Sequence, residues 1–277
     1  DNLGKFRCAI PHYEKLVEEK PDEASYLEKL AFLYYKDEDE RAIEVQKKLI
    51  DMDPKNSENQ ETYILYVKHF YGDPLEALRQ AYKMDPTNLD MALSYGKTAF
   101  DQGQYRESID PLSAVLAADT KNVDAHKFRA MSLEGLQQYN AAISDYKKIL
   151  EVEPKNAEIM CFISSAYKSM NQFSNAMYWT GKALQAKSGY GLAYITRAEI
   201  YEAGVAFCQD KEKRGRKYDD GLVYQKAYES YQKAANDPAF KSDAKKRMSG
   251  LKTVLPTEEE KFMNQNRKTL KLKCYTS

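Results

Sequence analysis

The chain is poor in the residues that break helices or staple small domains. Its 277 residues include 12 glycines, 9 prolines, 4 cysteines and one tryptophan. So little glycine and proline excludes collagen-like and low-complexity chains. The cysteines, Cys8, Cys161, Cys208 and Cys274, lie far apart and form no C-x-x-C pair. That scatter argues against a disulfide framework or a zinc site and reads as ordinary reduced thiols. Neither charge is in excess, because 42 basic residues balance 42 acidic ones. A general nucleic-acid binder shows a basic surplus, so no nucleic acid is expected as partner. No apolar run approaches the ~18–20 residues a membrane span needs; the longest candidate, Ile159 to Ile163, is core-sized. The opening Asp1 to Ile10 has no apolar segment of the secretory kind. A processed precursor would lack one too, so a soluble protein of either the cytoplasm or the periplasm fits.

Catalytic signatures are also missing. Gly96-Lys97-Thr98 resembles the end of a phosphate loop, but Met91 stands where the loop needs its first glycine. The histidines, His12, His69 and His126, are dispersed, without a metal-ligand spacing. Asp37 to Glu40 is an acidic run without the alternate-ligand pattern or glycine of a calcium loop; its carboxylates suit the start of the following helix. The expectation is a non-enzyme with no cofactor, no metal and no catalytic residue.

Against these absences stands a repetition. "IEVQKKLIDMDPKN" (Ile43 to Asn56) and "ISDYKKILEVEPKN" (Ile143 to Asn156) read almost alike. Anchors at Pro21, Pro54, Pro86, Thr120, Pro154 and Ser188 are spaced 33, 32, 34, 34 and 34 residues. Twelve residues before most anchors sits a small residue: Ala9, Ala42, Ser108, Ala142 and Ala176, with Pro74 as the exception. Five before sits Leu16, Leu49, Ala81, Val115, Ile149 or Ala183. Each such stretch predicts a helix, which the anchor proline stops. An earlier helix in each unit carries Tyr34, Val67, Ala99, Leu133 or Tyr167, preceded by a mostly small residue at Ala31, Ile64, Gly96, Ala130 or Ser164. Small residues there allow two helix backbones to approach closely. Neither helix of a pair can bury its apolar stripe alone, so copies must stack to share a core.

With its 34-residue period and Ala142, Tyr146, Ile149 and Pro154 at the expected marks, the chain resembles the tetratricopeptide repeat (TPR) family from about Lys5 to Pro238. The resemblance implies an all-α fold: a right-handed superhelical solenoid of antiparallel helix pairs. The expected organisation is a half repeat at 1–22, repeats at 23–56, 57–88, 89–122, 123–156, 157–190 and 191–238, and a capping helix with tail at 239–277. The half repeat implies a parent protein extending further N-terminally.

Departures from the pattern mark special places. Arg129 and Arg197 occupy positions usually apolar in the family. Asp73 and Pro74 open a helix after a loop two residues short. The repeat at 191–238 holds about seventeen extra residues within Gly204 to Gln225. These read as two lengthened helices joined by a charged turn near Gly215 to Gly221. The basic run Lys211, Lys213, Arg214, Arg216 and Lys217 reads as a solvated loop or as a patch for an acidic partner. Phe240, Ala244, Met248, Leu251 and Leu255 trace one apolar stripe, as a capping helix needs. Thr257 with Glu260 has the capping-box pattern, and Leu270 to Ser277 alternates like a strand. Insertion and tail together resemble TPR proteins of Bacteroidetes-type bacteria, which implies a bacterial protein.

In this family the first helix of each pair lines the concave face. The resemblance therefore implies a peptide-binding groove lined by Phe32, Tyr35, Leu65, Lys68, Leu93, Lys97, Phe100, Lys127, Met131, Cys161, Lys168, Ile195 and Glu199. Apolar centres with charged flanks suit an extended or helical peptide. Some TPR modules grip a C-terminal carboxylate through Lys-x-x-x-Asn; here Lys127 is followed by Met131 and Leu93 by Lys97, so that clamp is absent. Carboxylates outnumber lysines along the track, which favours a protein or peptide partner of mixed or net positive charge. Two other readings are a self-associating assembly module, with the open half repeat as its homo-oligomer surface, and the regulatory part of a longer enzyme.

Overall fold

The computed structural model describes residues 2–265, and among these every regular element is a helix. Leu270 to Ser277 lies outside the described residues. The chain divides into two compact bodies, Asp1–Ser132 and Leu133–Ser277. The N-terminal body contains α1 (Asn2–Glu19), α2 (Ala24–Lys36), α3 (Arg41–Met52), α4 (Ser57–Tyr71), α5 (Leu75–Met84), α6 (Leu89–Asp101), α7 (Tyr105–Ala118) and most of α8 (Val123–Gly135). The C-terminal body contains α9 (Tyr139–Val152), α10 (Ala157–Ser169), α11 (Phe173–Ala186), α12 (Gly191–Glu212), α13 (Tyr218–Ala234), α14 (Lys241–Leu251) and α15 (Glu258–Met263). Within each body, helices pack on their neighbours in sequence, for example α1 on α2 and α6 on α7, or α10 on α11 and α12 on α13. This is the all-α, helix-pair solenoid class, in which contacts stay local. The division between bodies falls inside α8, within a helix pair.

The repeated tripeptides explain the turns. Asn56, Asn88 and Asn156 are N-caps whose side chains accept from the backbone N–H three residues on, each at 3.1 Å. Asn122 does the same for Ala125 at 2.9 Å. Three residues before these caps, Asp53, Asp85 and Asp119 accept from the N–H groups of Lys55, Thr87 and Lys121. One residue thus closes the outgoing turn and another opens the next helix, each satisfying backbone donors left over at a helix end. The acidic run works similarly, with Asp39 accepting from the Arg41 N–H at 2.9 Å. Turns inside the pairs place Glu38, Gly103, Gln137 and Asn171 in the left-handed region, at φ 58–73°.

The small residues let helices close. A Cβ at Gly96 would lie 2.5 Å from Leu112 Cγ, so α6 and α7 touch there only because that atom is missing. Ala31, Ala42, Ala130, Ala142, Ser164 and Ala176 are fully buried. Buried hydroxyls at such marks find partners: Ser164 donates to the Ala176 carbonyl at 2.7 Å, and Ser108 to Ser132 Oγ at 2.6 Å. Tyrosine, with 22 copies, is used as a polar stitch. Tyr34, Tyr95, Tyr146 and Tyr231 donate to Glu14, Glu107, Glu134 and Glu202 at 2.5–2.7 Å. Each buries a ring and satisfies its hydroxyl at the rim.

The lengthened helices are present as α12 and α13, but the turn is shorter and earlier than expected. It covers residues 213–217, and Gly221 is already helical. The basic run is split: Lys211, Lys213 and Lys217 are exposed, whereas its two arginines bind inward. The Arg214 side chain is nearly buried and pairs with both oxygens of buried Asp220, at 2.5 and 2.9 Å. Arg216 makes a two-pronged pair with Glu260, at 2.6 and 2.9 Å, and donates to the Val254 and Leu255 carbonyls. Two of the five cations therefore fasten α15 and the α13 start to the turn. The Thr257–Glu260 capping box forms with both of its bonds, at 3.0 and 3.1 Å. α14 docks its stripe: Ala244, Leu251, Phe240 and Met248 pack with Ile195, Ala198, Ala227 and Tyr231.

The thiols correct the sequence reading at one position. Cys8 and Cys161 are free, whereas Cys208 is disulfide-bonded. A bond between cysteines distant in sequence leaves no spacing signature to read.

Candidate functional site

The proposed groove residues behave differently in the two bodies. In the N-terminal body, Phe32 and Tyr35 are half-buried on α2. Tyr35 stacks on Tyr66 of α4 at 4.6 Å between centroids and meets the edges of His69 and Phe70 at 4.9 and 6.2 Å. Lys36 Nζ stands 5.5 Å from both the Phe32 and Tyr35 rings, a distance at which the cation is held by the ring faces. His69 Nε2 lies 2.8 Å from Glu38. Leu65 and Lys68 are exposed on α4, Leu65 at 52%. A leucine that open on a helix leaves apolar area uncovered.

A second cluster lies on α6 and α8. Leu93, Lys97 and Phe100 on α6 and Lys127 and Met131 on α8 are half-buried. Phe100 meets Phe128 edge-on at 5.6 Å and Tyr105 at 5.9 Å. Lys97 lies 4.9 Å from the Phe128 ring and 3.5 Å from Asp124. Tyr66, Phe70, Tyr105 and Phe128 were absent from the expected track. The i, i+4 spacing of Tyr66 and Phe70 could have flagged them as a shared aromatic face.

In the C-terminal body the four predicted residues are engaged by the chain itself. Cys161 is 1% exposed and Ile195 4% exposed, both in the core. Cys161 packs with Met160, Ala183 and Ala193, and burial pushes its thiol up to about 12, far from a reactive thiolate. Lys168 and Glu199 pair at 2.6 Å, and Glu199 also receives Arg247 of α14 at 2.8 Å. Cys161 and Ile195 are therefore corrected from groove to core, whereas Lys168 and Glu199 stay half-buried in an ion pair with each other. The docking of α14 is the reason for Ile195.

Among the described residues, no group of three or more His, Cys, Asp or Glu side chains is arranged to hold a metal ion, and no helix is long and apolar enough to cross a membrane. His126 is buried, with its ring nitrogen 3.1 Å from the Thr120 carbonyl.

Neighbour-on-neighbour helix pairs with capped, regularly spaced turns define the class: an α-helical repeat protein. Residues 65–123 and 127–156 match family profiles of the tetratricopeptide repeat. Over these segments the chain carries tetratricopeptide repeats. Three solved structures share the fold. YrrB, a TPR protein with an unusual peptide-binding site, is 18% identical with a TM-score of 0.51, over 65% of this chain and 95% of YrrB. MamA is 20% identical with a TM-score of 0.50, over 65% of this chain and 96% of MamA. PilW, a widely conserved type IV pilus biogenesis factor, is 18% identical with a TM-score of 0.50, over 79% of this chain and 95% of PilW. No match was found among curated proteins.

Proposed function

We propose that the protein is a non-catalytic interaction scaffold that holds a peptide or protein segment on the first-helix face of its N-terminal body. The occupied residues are Phe32, Tyr35, Leu65, Lys68, Leu93, Lys97, Phe100, Lys127 and Met131. Six repeats, bounded as at 23–56 through 191–238, supply the framework. The carrying observation is the contrast between the bodies. At these helix positions Cys161 and Ile195 of the C-terminal body are buried in the core, whereas Leu65 and Lys68 are exposed on α4 and the rings and lysines of α2, α6 and α8 are half-buried. The peptide-binding site of YrrB, on the same fold, supports this reading.

The face sets the ligand's chemistry. Rings and Leu65 supply apolar anchors, which carry most affinity in such grooves. Glu28, Glu58, Glu61, Asp90, Asp101 and Asp124 are exposed on the same helices. They favour a segment of mixed or net positive charge and set its register.

A displayed-peptide selection tests the assignment. Peptides enriched on the wild type are titrated against a Phe100→Ala, Met131→Ala variant. The expected result is at least a tenfold loss, about 1.4 kcal/mol, by a variant that circular dichroism shows to be folded. Full retention of every peptide by a folded variant rejects the groove.

A further inference from the structure

A pocket of about 440 Å³ lies in the N-terminal body, bounded by α3, α4 and α5. Ile50 of α3, Tyr63 of α4 and Ala77, Ala81 and Met84 of α5 give it an apolar lining. Its volume falls within the about 300–1,000 Å³ common to ligand pockets. It sits in the shortest repeat, where Pro54 and Pro86 stand 32 residues apart. There α5 runs only 10 residues, against 12 for α3. The two alanines are too small to fill the space beside Tyr63. No residue of the first-helix track lines it.

One polar atom sets this pocket apart. Gln60 lines it and is 1% exposed. Its Nε2 donates to the Pro54 carbonyl at 2.5 Å, which fixes the orientation of the amide. Turning the amide over would set oxygen against oxygen. Gln60 Oε1 is the one buried side-chain nitrogen or oxygen among the described residues without a hydrogen-bond partner. A buried acceptor left alone is costly, so folded proteins and their complexes supply a donor. The Glu76 carboxylate in the same lining is already held by Arg79 and by Gln80, the latter at 2.7 Å.

These features narrow the guest to an apolar body with one donor. A carboxylate would place oxygen against Gln60 Oε1. An ammonium or guanidinium would find no free carboxylate in the lining. A phenol or a peptide group brings acceptor lone pairs of its own. The indole of tryptophan is a donor only, on a large uncharged ring. Tyr63 and Met84 offer the ring and thioether contacts that suit it. Lys47, Glu76, Gln80 and Met84 border the pocket and are exposed, so a ring can enter from a partner's surface.

We propose that this pocket takes the tryptophan side chain of a partner protein, with the indole N–H donating to Gln60 Oε1. Tryptophan is among the residues that most often anchor protein interfaces. The inference stands apart from the proposed peptide groove.

The test uses the full chain with isotope-labelled isoleucine, alanine and methionine methyl groups, read by NMR. Skatole, the free tryptophan side chain, is expected to shift the Ile50, Ala77, Ala81 and Met84 signals saturably and to leave Met160 unmoved. Its isomer N-methylindole has the same size without the donor, and is expected to bind about fivefold more weakly. In Gln60→Leu that preference is expected to vanish. N-acetyltryptophanamide is expected to bind no more weakly than skatole, because a partner's ring arrives on a backbone. Equal binding of the two isomers by the wild type overturns the proposal, as does a preference that persists in folded Gln60→Leu. Binding of skatole with exclusion of the amide overturns the partner and leaves a free small-molecule site. No saturable shift at these methyls overturns the site and leaves a trapped water as the donor to Gln60. The comparison of isomers on the wild type decides even where Gln60→Leu does not fold.

Discussion

Single residues explain why the same tripeptide recurs. Proline or its substitute stops one helix, and the asparagine two positions later starts the next by capping it. Asn156 holds the Ile159 N–H at 3.1 Å and also donates to Glu153. Replacing such a cap with alanine costs about 1 kcal/mol, whereas glycine costs only a few tenths. Asn156→Ala is therefore expected to lower the urea midpoint followed by Trp179, on the adjacent α11, and Asn156→Gly to lower it much less. Equal losses would show that the side-chain bond is not the source. The marks at Gly96 and Ser164 were legible as small residues, and their role as contact points follows from steric reach. The asparagine caps are equally local: Asn56, Asn88, Asn122 and Asn156 each follow an anchor by two residues. The Tyr–Glu stitches were not legible, since Tyr231 and Glu202 stand 29 residues apart and meet only through packing.

At the scale of elements, the departures from the repeat carry the specific structure. α12 runs 22 residues and α13 runs 17, joined by a turn whose arginines bind inward. Arg216 holds the Glu260 carboxyl down to about 2, well below its usual range, by a direct hydrogen-bonded pair. The sign follows. A carboxylate whose folded pKa lies below its unfolded value stabilises the fold fully above the unfolded value. That contribution fades as pH falls toward the folded one. Between about pH 4.5 and pH 2, α15 is expected to detach from the turn. Hydrogen exchange over residues 254–263, corrected for intrinsic rate, should rise across that window in wild type. In Glu260→Gln it should be already fast and flat; an identical profile in both would remove the clamp from the account.

At the scale of the whole molecule, contacts within each body run from one helix to the next. Repeat proteins of this kind store stability in nearest-neighbour terms and need not unfold as one block. Urea unfolding followed by Trp179 fluorescence, which reports α11, is expected to depart in midpoint from far-UV circular dichroism, which averages all helices. Superimposable curves would instead show a single cooperative transition. In the proposed function, the first-helix face of the N-terminal body carries the binding chemistry, while Cys161 and Ile195 at corresponding positions of the C-terminal body are buried in the core.

The sequence alone determined the helical class, the repeat and its period, because periodic apolar marks and helix stops act within one or two turns of themselves. It also determined the capping box at Thr257 and the docking stripe of α14, both of which depend on local spacing. Tertiary structure decided which face residues stay open. Cys161 and Ile195 have the same repeat positions as residues less buried elsewhere, and only the packing of later helices covers them. It likewise decided that Arg214 and Arg216 turn inward and that Cys208 is bonded. Pairing between distant side chains depends on where the folded backbone brings them, which no local pattern encodes.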